Sequence, residues 1–242
     1  MSALRRLRNG AVTAVRRVGA PVGSVMRVRT DAPLVALTFD DGPVDGDTQK
    51  VLSALGDAGA TATFFVLLTR VRRAPALLRD VVAAGHEIAL HGPDHQRLTT
   101  LPPDSIRSRM RESRSELEDA AGVPVRWFRP PYGAQNMRVW RATRAAGMTP
   151  VLWGPTLADW RTTSTEERLR LAVQGERGAI ILGHDGFADA VDGVDDGPAP
   201  ELDKGRLVSA VAAGYADKGL SLRSLGEVAA TGRLVREARF TH

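Results

Sequence analysis

The chain has 242 residues, enough for one large α/β domain, and its 43% hydrophobic and 25% charged content is globular rather than disordered. It contains no cysteine, which excludes disulfides, thiolate metal sites and a cysteine nucleophile, so any metal must sit on His, Asp or Glu. The formal charge of +5 is uneven. Arg5, Arg6, Arg8, Arg16, Arg17, Arg27 and Arg29 fall in residues 1–30 with no acid among them. The rest of the chain is near neutral and lacks the basic face that a nucleic-acid partner requires.

Residues 1–32 read as a basic leader, tail or surface helix. Leu4, Leu7, Ala11, Val15 and Val18 recur at helical spacing between arginines, a pattern suited to peripheral contact of residues 1–30 with an anionic membrane. Arg16 and Arg17 interrupt the apolar stretch, so no clean export signal forms, and no run of apolar residues is long enough to span a bilayer. The expected setting is cytoplasmic, or the cytoplasmic membrane surface, rather than secreted.

Residues 33–242 read as a single catalytic domain of alternating strands and helices. Strands are expected at 33–39, 60–67, 86–91, 125–131, 148–154 and 178–184. Helices are expected at 48–59, 74–84, 103–121, 135–146, 164–174 and 201–217, with a short element near 220–226. The strand runs are nearly continuously apolar, as for strands buried on both faces, which leaves an open doubly wound sheet or a closed barrel. No GxGxxG or P-loop pattern is present, so a nucleotide cofactor has no support. The segment 185–200 carries five aspartates and no basic residue. It reads as a solvated loop, with a border to a substrate groove or weak calcium binding as alternatives; its spacing does not match an EF-hand.

In both folds, sites form at the carboxyl ends of strands. There the sequence places Asp40 and Asp41, then His91 with His95 four residues on, then Arg129 and Tyr132, then Asp159 and Trp160, then His184. Two histidines at this spacing with a carboxylate make a three-ligand set that leaves coordination positions open, which suits a catalytic rather than a structural metal. Of the adjacent aspartates, one can bind the metal and the other can act on water as general base. His184 could serve as an acid oriented by Asp159, although a loop cap and a satisfied strand-end histidine are the plainer readings of those two. His86 precedes its strand and reads as structural or exposed.

Five ordered motifs, TFDDGP (38–43), HGPDH (91–95), RPPYG (129–133), W…DW (153–160) and ILGHD (181–185), resemble the NodB-type polysaccharide deacetylases, carbohydrate esterase family 4. The resemblance runs from about residue 33 to 226. It implies a distorted (β/α) barrel of about seven strands, the NodB homology domain, and metal-dependent hydrolysis of the N-acetyl group of an amino sugar. Asp41, His91 and His95 match the metal ligands, with zinc expected and cobalt, nickel or manganese compatible. Asp40 matches the general base, Arg129 the arginine that holds it, His184 the general acid and Asp159 its partner. Tyr132 matches the residue whose backbone N–H stabilises the oxyanion, and Trp160 and Leu182 match the acetyl pocket. The implied partner is an N-acetylated glycan, oligosaccharide or lipid-linked sugar. A deformylase-like amide hydrolase and a catalytically weak glycan-binding protein are the alternatives. Two positions depart from the family pattern: Gly92 stands where Ser or Thr is usual, and Thr156 where many members carry an Asp or similar polar residue.

Overall fold

The computed structural model describes residues 22–241. A seven-stranded sheet has the order β6-β5-β4-β3-β2-β7, with β8 also paired to β2. These strands are β2 (Leu34–Asp40), β3 (Thr63–Leu67), β4 (Glu87–Gly92), β5 (Trp127–Phe128), β6 (Thr149–Pro150), β7 (Ile180–His184) and β8 (Ser221–Arg223). Every pairing within it is parallel. The helices Asp47–Asp57, Pro75–Ala83, Pro103–Ala121, Met137–Ala145, Thr165–Ala172 and Lys204–Ala216 follow the expected alternation. A short helix Leu68–Arg73 directly after β3 was not anticipated.

Side-chain alternation sorts the strands into two apolar layers. On β2, Val35, Leu37 and Phe39 join the large cluster shared with the helices. Ala36 belongs instead to the inner cluster with Phe65, Ala89, Trp127, Val151 and Ile180. Continuing that inner column two residues at a time leads to Thr38 and Asp40 on β2, His91 on β4, Arg129 just past β5, and Leu182 and His184 on β7. The strands are therefore apolar on both faces until their carboxyl ends, where the inner face turns polar.

The ring closes between β6 and β7 by irregular pairing. Leu182 N–H donates to Pro155 O at 3.0 Å and Leu157 N–H to Leu182 O at 2.8 Å. Lower down, β1 (Ser24–Arg29) fills the gap: Leu152 N–H donates to Val25 O at 2.9 Å, and Val28 N–H to Gly178 O at 2.7 Å. β1 also pairs antiparallel with β9 (Arg233–Glu237). Val25 and Val28 share the inner cluster with Leu225 and Val228 of helix Leu225–Ala230, which together fill the barrel's amino-terminal end. Residues 24–29, assigned to the leader on sequence grounds, thus belong to the barrel wall.

The amphipathic pattern read in the leader lies mainly in residues 1–21, outside the described residues. Among the described residues, no helix is long and apolar enough to cross a membrane. His86 is buried at the end of the barrel away from the polar rim, with its Nδ1 accepting from Ala62 N–H at 3.3 Å; burial lowers its pKa.

Candidate active site

Asp40 is the last residue of β2, and strand alternation would send Asp41 to the opposite face. The backbone prevents this. Asp41 adopts φ 73°, a left-handed conformation that Asp tolerates better than most residues, and the turn carries its carboxylate back over the barrel mouth. Gly42 follows because the Asp185 carboxylate packs against it: a Cβ there would lie 2.0 Å from Asp185 Oδ2. Asp185 is itself buried, accepts from Thr48 Oγ1–H at 2.7 Å, and burial pushes its pKa up to about 7.

His91 is the penultimate residue of β4 and His95 lies on the loop beyond it. Both present Nε2 to Asp41 Oδ1 at 3.4 Å. Ligand atoms about 2.1 Å from one ion lie roughly 3.0–3.4 Å apart at octahedral to tetrahedral angles, so this spacing fits a shared cation. Two further features fit. Asp41 Oδ1 is buried with no hydrogen-bond partner. His91 Nδ1 sits 2.8 Å from the carbonyl oxygen of Arg129, which can only accept, so the proton is on Nδ1 and the Nε2 lone pair is free. Among the described residues, Asp41, His91 and His95 form the one cluster of potential metal ligands, all buried, with ligand atoms within 4.8 Å of one another.

Burial alone would raise the pKa of Asp41, but the adjacent His91 imidazole and the fields of His184 and His95 hold it well below the usual carboxylate range. Burial opposes protonation of both imidazoles. His91 is nevertheless raised by Asp40 and Asp41, whereas His95 is lowered.

Two charge pairs flank this cluster. Arg129 is fully buried, and its Nη1–H donates to Asp40 Oδ1 at 2.6 Å. Its guanidinium lies 4.1 Å from the centre of the Phe65 ring, so the arginine spans the boundary between the apolar interior and the polar mouth. On β7, next to β2 in the sheet, His184 Nδ1–H donates to Asp159 Oδ1 at 2.7 Å, and the His184 backbone N–H donates to Asp159 Oδ2 at 2.6 Å. Burial would lower the His184 pKa, but Asp159, by charge and hydrogen bond, lifts it to about 9 with help from Asp41 and Asp40. Asp159 is lowered in turn: burial opposes its charge and His184 more than compensates. The plain cap and strand-end readings of these two residues give way to a buried acid–imidazole pair.

All ten residues singled out from the sequence meet at this rim. Asp40, Asp41, His91, His95, Tyr132, Trp160, Leu182 and His184 line a cavity of about 490 Å³, and Arg129 and Asp159 lie directly behind it through their partners. The Trp160 ring meets His184 edge-on at 5.1 Å, and Leu182 forms part of the wall beneath. Tyr132 sits in a left-handed turn, φ 59° and ψ 10°, with its ring 4.4 Å from that of His95.

Within segment 185–200, the groove-border alternative fits better than the solvated loop, although no residue after Asp185 was singled out from the sequence. Phe187, Ala188 and Asp196 line the same cavity. This segment is not a plain solvated loop. Asp192 is fully buried, accepts from Arg70 Nε–H at 2.9 Å and from Thr69 Oγ1–H at 2.6 Å, and its carbonyl accepts from His95 N–H at 3.0 Å. The four aspartates of residues 187–196 gave no spacing signal, because the partners of Asp192 and Asp196 come from elsewhere in the chain.

Of the two departures, Thr156 caps the turn before Asp159, its Oγ1 accepting from Ala158 N–H at 3.1 Å. Gly92 is required by its surroundings: a Cβ would stand 2.6 Å from Asp94 O. A Ser or Thr does not fit this loop as it is folded.

The polysaccharide deacetylase profile matches residues 27–151, which include Asp40, Asp41, His91, His95, Arg129 and Tyr132. A peptidoglycan-N-acetylglucosamine deacetylase of Bacillus cereus is 32% identical over 179 residues, 72% of this chain and 84% of that protein. A chitooligosaccharide deacetylase of Sinorhizobium fredii is 34% identical over 165 residues, 67% of this chain and 77% of that one. Among solved structures, the family 4 carbohydrate esterase of Streptomyces lividans in complex with acetate superposes with a TM-score of 0.69 at 30% identity, covering 80% of this chain and 93% of that chain. A buried Asp–His–His cluster at the mouth of a parallel barrel, a flanking Arg–Asp and His–Asp pair, and these matches together make this chain a member of the polysaccharide deacetylase family, metal-dependent carbohydrate esterases.

Proposed function

We propose that the protein removes the N-acetyl group from an amino sugar in a glycan or glycan precursor, releasing acetate and a free amine, with Asp41, His91 and His95 holding one divalent cation. The observation that carries this reading is the pair of ion pairs on either side of the ligand cluster, Arg129–Asp40 and Asp159–His184, which offer a base and an acid within one cavity. Histidine and carboxylate ligands suit zinc, with cobalt, nickel and manganese as substitutes. Bound there, the cation supplies Lewis acidity toward the amide carbonyl and the attacking water.

The chain's own residues do the rest. Asp40, held by Arg129, takes a proton from the attacking water. The backbone N–H of Tyr132 meets the carbonyl oxygen as negative charge grows there. His184, as the imidazolium, delivers its Nε2 proton to the departing nitrogen, while Asp159 accepts from its Nδ1–H and stabilises the positive charge. Trp160 and Leu182 line the cavity beside His184 and offer an apolar seat for the acetyl methyl.

The substrate class is an N-acetylglucosamine-containing glycan, as in the peptidoglycan and chitooligosaccharide deacetylases that the chain is similar to. A lipid-linked sugar is the variant favoured by the basic residues 1–30, which would bring the enzyme to anionic lipid. The test is acetate release by zinc-loaded protein on chitooligosaccharides, peptidoglycan fragments and N-acetylglucosaminyl lipids. Release from any of them supports the activity and ranks the classes. Release of formate from a formamide in place of acetate would instead indicate a deformylase.

A further inference from the structure

The two histidine ligands are not equally supported. An imidazole that gives Nε2 to a cation carries its proton on Nδ1, and a buried N–H needs an acceptor. For His91 the acceptor is Arg129 O at 2.8 Å. For His95, Nδ1 is buried with no hydrogen-bond partner. It faces Asp196 Oδ2 at 3.6 Å, within reach of a small rotation about the soft terminal torsion of the aspartate.

Asp196 is held ready for this. Tyr132 Oη–H donates to the same Oδ2 at 2.7 Å. The Arg97 guanidinium carbon lies 4.0 Å from the centre of the Tyr132 ring. The segment carrying Asp196 is anchored by the buried Arg70–Asp192 pair, at 2.6 Å, and by the bond from His95 N–H to Asp192 O.

We propose that Asp196 is a positioning residue: it accepts the Nδ1 proton of His95 when a cation takes Nε2, and ties that ligand to the Tyr132 turn. The acidic segment 189–196 is then part of the metal site's support, reaching it from the loop that follows β7. This inference rests on the metal reading above.

The test is titration of metal-free protein with Co²⁺ against a chromophoric chelator, together with the visible spectrum of the cobalt protein. Asp196→Ala is expected to weaken Co²⁺ binding about 10- to 100-fold and to alter the visible bands, because an outer carboxylate orients the ligand ring. Asp196→Asn retains an acceptor oxygen and is expected to recover part of the loss. Asp195→Ala removes the same charge from the neighbouring exposed position and is expected to bind like wild type. Wild-type affinity and bands in Asp196→Ala, or equal weakening in Asp195→Ala, would overturn the proposal while leaving the metal reading intact. Failure of the wild type itself to bind Co²⁺ would overturn both.

Discussion

At the scale of single residues, the adjacent aspartates divide their work because one residue lies in the strand and the next in a left-handed turn. Asp40 faces Arg129 and Asp41 faces the histidines. Asp40→Asn is expected to lower kcat about 10²- to 10⁴-fold while leaving metal content unchanged, read by steady-state kinetics and metal analysis on the same sample. A parallel loss of metal would mean that Asp40 acts as a ligand instead. His184 acts protonated, and its raised pKa of about 9 keeps it so through neutral pH. Activity therefore falls as pH rises through the alkaline range. A bound cation offsets the part of the field due to Asp40 and Asp41, leaving Asp159 as the main support. Asp159→Asn removes that support while burial still opposes the charge, so the alkaline limb of kcat/KM is expected to move to lower pH. An unmoved limb would assign it to another group.

At the scale of elements, the loops rather than the strands decide whether the site is assembled. Gly92→Ser places a Cβ 2.6 Å from Asp94 O, between the two histidine ligands in sequence. It is expected to cost about 1–3 kcal/mol and to weaken metal binding, measured by thermal unfolding and chelator competition. Arg70→Met would leave the fully buried Asp192 carboxylate without its cation. Removing one partner of such a pair typically costs about 3–5 kcal/mol, so unfolding at lower denaturant is expected, together with weaker Co²⁺ binding through the loosened segment.

The same contrast explains what is legible in the sequence. β2, β3, β4 and β7 announce themselves as apolar runs because helices cover one face and the barrel interior the other. The site residues are legible because each follows such a run. β5 and β6 shrink to two residues each, Trp127–Phe128 and Thr149–Pro150; the longer apolar runs around them mark burial rather than ladder pairing. Asp192 and Asp196 could not be singled out, since a buried and an exposed aspartate look alike until Arg70 and Tyr132 arrive from distant segments.

At the scale of the molecule, β1 and β9 form a small antiparallel sheet that the strand–helix alternation does not foreshadow. The arginines of β1 hide its strand character: Arg27 and Arg29 face solvent while Val25 and Val28 are fully buried. Deleting residues 1–32 is expected to expose the inner cluster and lower the melting temperature markedly or cause aggregation, whereas deleting only residues 1–21 spares this contact. An unchanged melting temperature for the shorter chain would mean that residues 33–242 suffice as the folding unit.

The central claim joins one metal site to one general base at the barrel mouth. Its most direct test is the initial rate of acetate release from a chitooligosaccharide by chelator-stripped protein as zinc is added back, with Asp40→Asn alongside. We expect no release without metal, full recovery near one equivalent, and almost none from Asp40→Asn although it binds zinc as tightly. Release that persists without metal, or that survives in metal-loaded Asp40→Asn, would contradict the account.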